Sequence, residues 1–393
     1  MLTGKHILIG IGGGIAVYRV AELVRLLIRQ GAEVRCVMTR SACEFVTPLT
    51  FEALTGEEVH TELFDLAGER TMGHIQLARW ADAVVIAPAT ANLITKLAYG
   101  IADDLLTTIM QVNDNPVLIV PAMNHSMWNS SATQENVEKL KFRGICFSGP
   151  EHGELACGEE GPGRLSEPET IIERLLPLIS EQNLAGQRWV INAGPTWESW
   201  DSVRLLTSRA TGTLGSCLAA IASAHGADVT FVAGPGTPET PDSIHRINVE
   251  SAGEMLTGCR EAAKGADLFI ASAAVSDFRF SKLITEKLKR GDIEQLQIEL
   301  TANPDIVATI ASPGERPRHV IAFAAESSNH VEHARKKLDR KGVDAIFAND
   351  TGNMGSASAS GWWITPDQIE QIDPLPKEKI AEKIIEKIME LQQ

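Results

Sequence analysis

Three loops in the first half of the chain carry a histidine, an amide and a thiol. His74 lies in TMGHIQLARWAD, Asn124 in PAMNHSMW and Cys157 in GELACGEEGPGRL. A histidine can transfer protons, an amide can bind a carboxylate, and a thiol can donate a proton. Each also has an ordinary explanation: a capping or solvated histidine, a turn amide and a buried small thiol. The glycines and prolines around Cys157 favour a mobile loop that closes over a pocket.

The first strand and helix are expected to hold an anionic ligand. A predicted strand at 6–11 is followed by Gly12, Gly13 and Gly14, and then by a predicted helix at 15–30. Such glycine turns are common, but they let the backbone approach a phosphate at a helix N-terminus. The second predicted strand, 33–40, ends in Met-Thr-Arg instead of an acidic residue that would bind a ribose hydroxyl. This ending favours a mononucleotide such as FMN over a dinucleotide.

The remaining predicted strands also end in small or polar residues, which is typical of the ligand edge of an open parallel sheet. In the first half these strands are expected at 81–90, 115–124 and 144–150. A helix should begin near Thr90 or Asn92, either of which could be its cap, and Asn92 has capping alone as its simpler explanation. In the second half, strands are expected from about 188 and at 227–236, 266–280, 319–327 and 343–350.

The fold class that follows is α/β, with two doubly wound, Rossmann-like domains that each contain a mostly parallel sheet flanked by helices. The segment 181–187 is predicted to be a linker, so the domains are expected at 1–187 and 188–393. The net charge of −15 argues against a nucleic-acid or anionic-membrane surface. Six cysteines without CxxC or metal spacing, and no leader-like or membrane-spanning run, favour a reducing cytoplasm.

The first 180 or so residues resemble the homo-oligomeric flavin-containing Cys decarboxylase family, specifically its phosphopantothenoylcysteine decarboxylases. The matching segments, in order, are GGGIAVYR, MTRSACEFVTP, MGHIQLARWAD, APATANLITKLAYGIADDLL, PAMN and ACGEEGPGR. The resemblance implies an active-site base at His74, a carboxylate-binding amide at Asn124 and a proton donor at Cys157. It implies FMN contacts at Gly13, Gly14, Ile15, Thr39, Thr90, Asn92, Ala102, Asp103 and Met123. Gly12 departs from the family, which usually has Ser or Thr there.

The implied chemistry explains the need for a flavin. The nitrogen of the substrate cysteine is part of an amide, so it cannot form a Schiff base. A flavin accepts electrons from the C–S unit, carbon dioxide leaves, and the electrons and a proton then return to the product.

The second half resembles the bacterial, CTP-using phosphopantothenate–cysteine ligases. The matching segments cover most of 188–360 and are AGPTWESWDSVR, SAAVSDFR, EKLKR, ANPDIVATI, AFAAES, RKKLDRKG and ANDTG. The resemblance implies an acyl-cytidylate intermediate, with CTP and Mg²⁺. It implies CTP contacts at Asp277, Lys287, Pro304, Asp305, Ile306, Val307, Phe323, Lys337 and Lys341, and substrate contacts at Arg204, Ser208 and Ala274. Without the other motifs, RKKLDRK would indicate only an exposed helix face.

One segment departs from the ligase pattern. In TSRATGTLG, Ser208 stands where the family has Asn, and Thr213 stands where it has Lys. Three hypotheses therefore stay open. The first is a bifunctional enzyme of coenzyme A biosynthesis acting on 4'-phosphopantothenate, cysteine and CTP. The others are a decarboxylase with a degenerate ligase domain and a flavoprotein that serves as a regulatory binding module. The resemblance also implies a homo-oligomer, for which a dodecamer is one arrangement, and the pattern identifies no metal ligand.

Overall fold

The computed structural model describes residues 2–63, 73–156, 158–284, 286–287, 295–314, 316–326, 329–350, 352 and 355–392. The chain forms two compact units, unit 1 (Met1–Glu181) and unit 2 (Gln182–Gln393). The functional border expected at 187/188 stays a prediction. No helix in the described part of the chain has both the length and the apolar character that a bilayer crossing requires.

Unit 1 contains a five-stranded parallel sheet with the order β2-β1-β3-β4-β5. Its strands are β1 His6–Ile11, β2 Glu33–Met38, β3 Ala83–Ala89, β4 Val117–Pro121 and β5 Cys146–Phe147. Residues of β3 and β4 are buried along their whole length, which explains why these strands are apolar runs without alternation. The strands predicted at 33–40, 81–90, 115–124 and 144–150 are present but shorter, because their last residues form the loops at the ligand edge.

Nine helices of unit 1 belong to the described residues, and they pack around this sheet. They are α1 Val17–Arg29, α2 Arg40–Cys43, α3 Pro48–Thr55, α4 Gly73–Trp80, α5 Ala91–Tyr99, α6 Leu105–Gln111, α7 His125–Trp128, α8 Ser131–Phe142 and α9 Pro168–Ile179. The apolar face of α1 is buried through Val20, Leu23, Val24 and Leu27, at the i, i+3, i+4, i+7 spacing of an amphipathic helix.

The segment around Cys157 contains an antiparallel hairpin formed by β6 Glu151–Glu154 and β7 Glu160–Arg164. The loop expected here is therefore wrong for residues 151–154 and 160–164, which form paired strands. A Cβ on Gly163 would lie 2.1 Å from the carbonyl oxygen of Met123, and one on Gly161 would lie 2.9 Å from Cβ of His125. These glycines permit close packing of the hairpin on the loop after β4. Cys157 itself lies outside the described residues.

Unit 2 contains an eight-stranded sheet with the order β12-β11-β8-β13-β16-β17-β18-β19. The strands of this sheet are β8 Arg188–Ala193, β11 Asp228–Ala233, β12 His245–Asn248, β13 Leu268–Ala271, β16 His319–Glu326, β17 Ala345–Asp350, β18 Ser358–Ile364 and β19 Ile369–Pro376. The first six strands in this order are parallel, and β18 and β19 are antiparallel.

Two small hairpins and five helices complete the described elements of unit 2. The hairpins pair β9 Glu198–Ser199 with β10 Leu205–Leu206 and β14 Phe278–Phe280 with β15 Leu300–Ala302. The helices are α10 Thr213–Ala224, α11 Ala252–Ala262, α12 Ile306–Ile310, α13 His330–Lys341 and α14 Lys377–Leu391. The single strand predicted at 266–280 is two strands, β13 and β14, because residues 272–277 form a loop at the ligand edge. The predicted α/β class with two mostly parallel sheets is confirmed.

Two candidate active sites

The topology of unit 1 places a ligand crevice between β1 and β3. In a doubly wound sheet with the strand order 2-1-3-4-5, the connections leave in opposite directions from this point, and FMN-type ligands bind there. A cavity of about 890 Å³ is lined by the loops after β1, β3 and β4 and by the β6–β7 hairpin. Its lining residues include Gly13, Gly14, Ile15, Thr90, Met123 and Asn124. The structure thus brings together five of the expected FMN contacts and the expected carboxylate-binding amide.

The N-terminus of α1 forms an anion cradle in this cavity. Ala16 provides no side-chain cap, and the Val17 and Arg19 N–H groups donate to the Gly14 and Ala16 carbonyls at 3.0 and 3.1 Å. The N–H groups suited to a phosphate are therefore those of the glycine turn that precedes the helix. A Cβ on Gly14 would meet only Cγ2 of Thr90, at 3.7 Å, so the cavity side of the turn is open. The Thr90 hydroxyl accepts from the Leu93 N–H at 3.2 Å and caps α5. The cradle fits a flavin mononucleotide phosphate.

The other two glycines of the turn have steric roles. A Cβ on Gly12 would lie 2.3 Å from the Pro88 carbonyl oxygen, and one on Gly13 would lie 2.3 Å from Cβ of Ser41. Glycine at these positions therefore permits contact between neighbouring loops. In this backbone the hydroxyl residue that the family usually has at position 12 would collide with Pro88, which gives the Gly12 departure a physical reason.

Asn124 follows β4 and caps α7. Its Oδ1 accepts from the Ser126 N–H at 2.8 Å, and its Nδ2 donates to Oε2 of Glu159 at 2.6 Å. The same carboxylate oxygen lies 3.2 Å from Nδ1 of His125. A carboxylate of the chain is thus bound to the amide that the resemblance assigns to the substrate carboxylate. The Nδ2 donor of Asn124 is therefore placed to bind a carboxylate, because it already donates to the carboxylate of Glu159.

Leu155 and Ala156, the residues before Cys157, line the cavity. The Leu155 N–H donates to the Glu159 carbonyl at 2.8 Å, and the Gly158 N–H donates to the Leu155 carbonyl at 2.8 Å. The residues on both sides of Cys157 are therefore held in a tight turn. The role of the thiol stays a prediction.

Several expected residues do not line the cavity on their own chain. His74 is half-buried in the first turn of α4, and Thr39 caps α2 and donates to the Ile11 carbonyl at 3.2 Å. Asn92 is exposed on α5, and the cap of that helix is Thr90, so capping does not explain Asn92. None of the three residues His74, Thr39 and Asn92 lines the cavity.

Ala102 and Asp103 are exposed on the loop between α5 and α6. Oδ1 of Asp103 accepts from Nζ of Lys96 at 2.7 Å. This hydrogen bond lowers the pKa of Asp103 and raises the pKa of Lys96. Neither Ala102 nor Asp103 belongs to the cavity lining of the chain.

Sequence reasoning missed further residues that line the cavity. They are Ala16, Tyr18, Arg19, Ala122, Met127, Glu154, Leu155, Ala156, Gly163, Arg164 and Leu165. Several lie inside the segments that carried the resemblance, such as GGGIAVYR and ACGEEGPGR. Their location inside these motifs could have identified them as candidates. The spacing of the motif residues, however, does not show which side chains reach the cavity.

Unit 2 has a corresponding crevice between β8 and β13. With β8, β11, β12, β13, β16 and β17 counted as strands one to six, the order is 3-2-1-4-5-6, which reverses at this pair. After these strands, the Ala274 N–H donates to the Gly194 carbonyl at 2.9 Å. The Ser208 hydroxyl donates to the Ala274 carbonyl at 3.3 Å and accepts from the Ala210 N–H at 3.4 Å. Two of the expected substrate residues, Ser208 and Ala274, are therefore in contact.

Two expected CTP residues are also brought together. Nζ of Lys341, on the last turn of α13, lies 3.1 Å from Oδ2 of Asp305. Asp305 caps α12 by accepting from the Ala308 N–H at 3.0 Å, while Pro304 precedes it. Ile306 is buried and Val307 is half-buried in the first turn of α12. The pair therefore links the NPDI segment to the RKKLDRKG helix.

The remaining expected CTP residues have separate surroundings. Asp277 is exposed, and its carbonyl accepts from the Asn303 N–H at 2.8 Å. Phe323 packs edge-on against Phe347, with ring centroids 5.4 Å apart. Lys337 is half-buried on α13. Lys287 is exposed and stands between stretches that lie outside the described residues, so its relation to the other CTP residues stays a prediction.

Arg204 is bound within its own hairpin. Its Nε donates to Oδ2 of the buried Asp201 at 2.9 Å, and its guanidinium lies 4.3 Å from the ring centroid of Trp200. The carboxylate neutralises part of its charge, yet the Arg204 side chain is 44% exposed and can still contact a ligand. Thr213 is the first residue of α10, and its Oγ1 lies 2.9 Å from Oγ1 of Thr211. It supplies no cation where the ligase family has lysine.

No cluster of three or more potential metal ligands occurs among the described His, Cys, Asp and Glu residues. The described cysteines Cys36, Cys43, Cys146, Cys217 and Cys259 are free thiols.

Both units match known protein families. The Flavoprotein family matches residues 1–180, and the DNA/pantothenate metabolism flavoprotein C-terminal domain matches residues 184–391. The coenzyme A biosynthesis bifunctional protein CoaBC of Vibrio parahaemolyticus is 43% identical over 397 residues, covering 99% of both chains. The protein of the same name from Escherichia coli is 40% identical over 399 residues, covering 99% of this chain and 97% of its own. A crystal structure of the FMN-dependent cysteine decarboxylase SpaF is 32% identical, covers 44% of this chain and 99% of its own, and has a TM-score of 0.39.

Proposed function

The chain belongs to the family of coenzyme A biosynthesis bifunctional proteins, and on that premise we propose how its two units perform the two reactions. Unit 1 is the flavoprotein decarboxylase and unit 2 is the ligase. The observation that carries the assignment of residues is the cavity of unit 1, where Asn124 and an anion cradle occur together.

Unit 2 acts first in the sequence of reactions. It joins 4'-phosphopantothenate to cysteine through an acyl-cytidylate, with release of pyrophosphate and then of CMP. Asp305 and Lys341 support this role, since these two expected CTP residues form an ion pair and Asp305 also caps α12. The expected lysines would neutralise the triphosphate, and Mg²⁺, when bound with CTP, would supply further positive charge. Arg204 contacts the phosphopantothenate end, and Ser208 and Ala274 are the further substrate contacts, with Ser208 beside the acyl intermediate.

Unit 1 decarboxylates the product, 4'-phosphopantothenoylcysteine, to 4'-phosphopantetheine. FMN, when bound, supplies the electron acceptor that the substrate's C–S unit needs. The backbone of Gly13, Gly14 and Ile15 binds its phosphate. The substrate carboxylate replaces Glu159 at Nδ2 of Asn124. His74 acts as the base and Cys157 donates the final proton.

A homo-oligomer completes the decarboxylase site in this proposal. His74, Asn92, Ala102 and Asp103 do not line the cavity of their own chain, which supports their use in the cavity of another copy. Two residues beside the cradle are apolar and largely exposed, Ile15 at 59% and Tyr18 at 65%. Such residues at a cavity rim suit a subunit contact. A dodecamer is the arrangement that the resemblance implies, and free thiols support a cytoplasmic location.

A second candidate is a decarboxylase whose ligase unit is degenerate. It is favoured by Thr213, which replaces a cation, and by Ser208, whose hydroxyl is already bonded to Ala274 and Ala210. The contact between Asp305 and Lys341 favours an active ligase instead, because nucleotide-binding residues remain assembled.

One assay separates these candidates. The purified chain is incubated with 4'-phosphopantothenate, cysteine, CTP and magnesium, and mass spectrometry follows the acyl-cytidylate, the ligated product and the decarboxylated product. All three are expected, with one pyrophosphate per ligated product. Absence of CTP-dependent pyrophosphate would favour the degenerate ligase. A bound flavin without release of carbon dioxide from supplied 4'-phosphopantothenoylcysteine would indicate a binding module.

A further inference from the structure

A buried amide lies beneath the ligand edge of unit 2. Asn192 is the fifth residue of β8, is 1% exposed and follows the buried residues Val190 and Ile191. The strand is internal to the sheet, between β11 and β13. A buried amide is strongly destabilising unless it is hydrogen-bonded, so its partners indicate what it holds in place.

Both ends of this amide are used. Nδ2 of Asn192 donates to Sγ of Cys259 at 3.6 Å, and Oδ1 accepts from the Ala273 N–H at 3.1 Å. Burial raises the pKa of the Cys259 thiol to about 12, so its sulfur is neutral and a weak acceptor. The bond to Ala273, in the loop after β13, is therefore the stronger of the two.

The backbone of Asn192 holds the same loop. Its carbonyl accepts from the Ser272 hydroxyl at 2.6 Å and from the Ser272 N–H at 3.2 Å. Ala274 follows Ala273 in this loop, and its carbonyl accepts from the Ser208 hydroxyl. A continuous set of contacts thus runs from the core amide through Ala273 and Ala274 to Ser208.

We propose that Asn192 is a positioning residue of the ligase, an inference that rests on the proposed function of unit 2. It fixes the Ala273 N–H, and through it the Ala274 carbonyl, at the subsite for the pantothenate end of the substrate. A leucine would fill the same space but would leave the Ala273 N–H without its acceptor. The loop would then relax. A shift of about 1 Å in a substrate-positioning group can slow a reaction by about 100-fold, so a smaller relaxation has a measurable effect.

The test compares Asn192→Leu with Cys259→Ala in the full-length protein. Both changes remove the bond between Asn192 and Cys259, but only the first removes the bond to Ala273. Asn192→Leu should raise the KM for 4'-phosphopantothenate about tenfold, with less than about a twofold change in the KM for CTP. Cys259→Ala should leave both KM values near those of the wild type. Decarboxylation of supplied 4'-phosphopantothenoylcysteine should be unchanged in both variants.

A second variant keeps the test decisive if Asn192→Leu does not fold. Ser272→Ala removes the 2.6 Å bond to the Asn192 carbonyl on the same loop and adds no bulk. It should raise the KM for 4'-phosphopantothenate about threefold, again with little change for CTP.

The outcomes separate this inference from the proposed function. If the wild type releases pyrophosphate but Asn192→Leu and Ser272→Ala keep the wild-type KM for 4'-phosphopantothenate, the positioning role is refuted and the ligase stands. If Asn192→Leu and Cys259→Ala raise the KM for 4'-phosphopantothenate equally, the amide only supports the fold. The same conclusion follows if Asn192→Leu raises the KM values for 4'-phosphopantothenate and CTP equally. If the wild type has no CTP-dependent activity, the proposed ligase function is wrong and this inference is wrong with it.

Discussion

Unit 1 has the strand order 2-1-3-4-5, and unit 2 has the order 3-2-1-4-5-6 extended by two antiparallel strands. Both orders reverse next to the first strand of the unit, and some expected ligand residues follow the strands at this reversal, such as Gly13 and Thr90 in unit 1 and Ala274 in unit 2. Unit 1 surrounds one cavity of about 890 Å³ largely with backbone and uncharged side chains. In unit 2 the expected ligand residues form separate contacts, such as Ser208 with Ala274 and Lys341 with Asp305. The same architectural rule thus accommodates one open cavity in unit 1 and several separate, more charged contacts in unit 2.

The largest expected effect concerns the thiol of unit 1. Cys157→Ser should keep FMN and early carbon dioxide release but prevent formation of 4'-phosphopantetheine, because a hydroxyl is a far weaker acid than a thiol. Mass spectrometry should detect an accumulated oxidised enethiol product. Ligation by unit 2 in the same sample serves as the control, and a normal yield of 4'-phosphopantetheine would remove Cys157 from the mechanism.

In unit 2 the ion pair between Lys341 and Asp305 offers the next test. Lys341→Met should raise the KM for CTP at least tenfold, since lost hydrogen bonds to charged groups are worth about 1.5–3 kcal/mol. Lys336→Met is the matched control, because Lys336 pairs with Glu332 at 2.6 Å on the exposed side of the same helix. Steady-state kinetics with varied CTP distinguishes the two variants, and similar values for both would exclude a specific role for Lys341.

Ser208 stands where the ligase family has asparagine, so restoring the asparagine is expected to increase the rate of ligation. Ser208→Asn should speed formation of the ligated product about tenfold, because an amide both donates and accepts whereas the hydroxyl is already bonded to Ala274 and Ala210. Pyrophosphate release should change little, so the acyl-cytidylate should accumulate less. Slower turnover would mean that this site is built around serine.

A smaller effect is expected at the bond between Glu159 and Asn124. Glu159→Gln removes a negative charge from the place that the substrate carboxylate is proposed to occupy. Two like charges about 4 Å apart in water repel by about 1 kcal/mol, so the KM for 4'-phosphopantothenoylcysteine should fall roughly fivefold. Decarboxylation kinetics at constant pH measures the change. A higher KM would indicate that Glu159 orients Asn124 instead of competing with the substrate.

The smallest effect involves one buried thiol in each unit. Burial raises the pKa of Cys36 in unit 1 and of Cys259 in unit 2 from 9.0 to about 12. The unfolded chain loses these protons first, so their contribution to stability is present below about pH 9 and is lost as the pH rises toward 12. Alkylation at pH 8, mapped by mass spectrometry, should spare both thiols, and urea should expose them at lower concentration at pH 10. Rapid labelling of either thiol in the native protein would contradict its burial.

Much of the fold follows from local patterns. The continuous apolar runs of β3 and β4 and the periodic apolar face of α1 can be recognised in the sequence, and the small residues after the strands indicate the ligand edge. The strands β18 and β19 were not predicted. In β19, Ile369–Pro376, most residues are exposed, so it lacks the continuous apolar run of the buried strands.

The site was less predictable for a different reason. The motifs identify residue types, but they do not show which chain or cavity those residues serve. Asn124 and Thr90 line the cavity of their own chain, whereas His74 and Asp103 do not. The sequence could not show that Arg204 binds Asp201, or that the side chain of Asn192, within its strand, accepts from the Ala273 N–H. Such contacts depend on tertiary packing between segments far apart in sequence.

The packing of Gly163 against Met123 has a consequence for mutational scanning. A side chain at Gly163 would have to displace a backbone carbonyl 2.1 Å away, and with it the loop that carries Asn124. A library scored only for growth or product formation would therefore rank Gly163 with Cys157, although glycine performs no chemistry. Flavin content and thermal stability, measured for each variant alongside turnover, would separate the residues that shape the cavity from those that react within it.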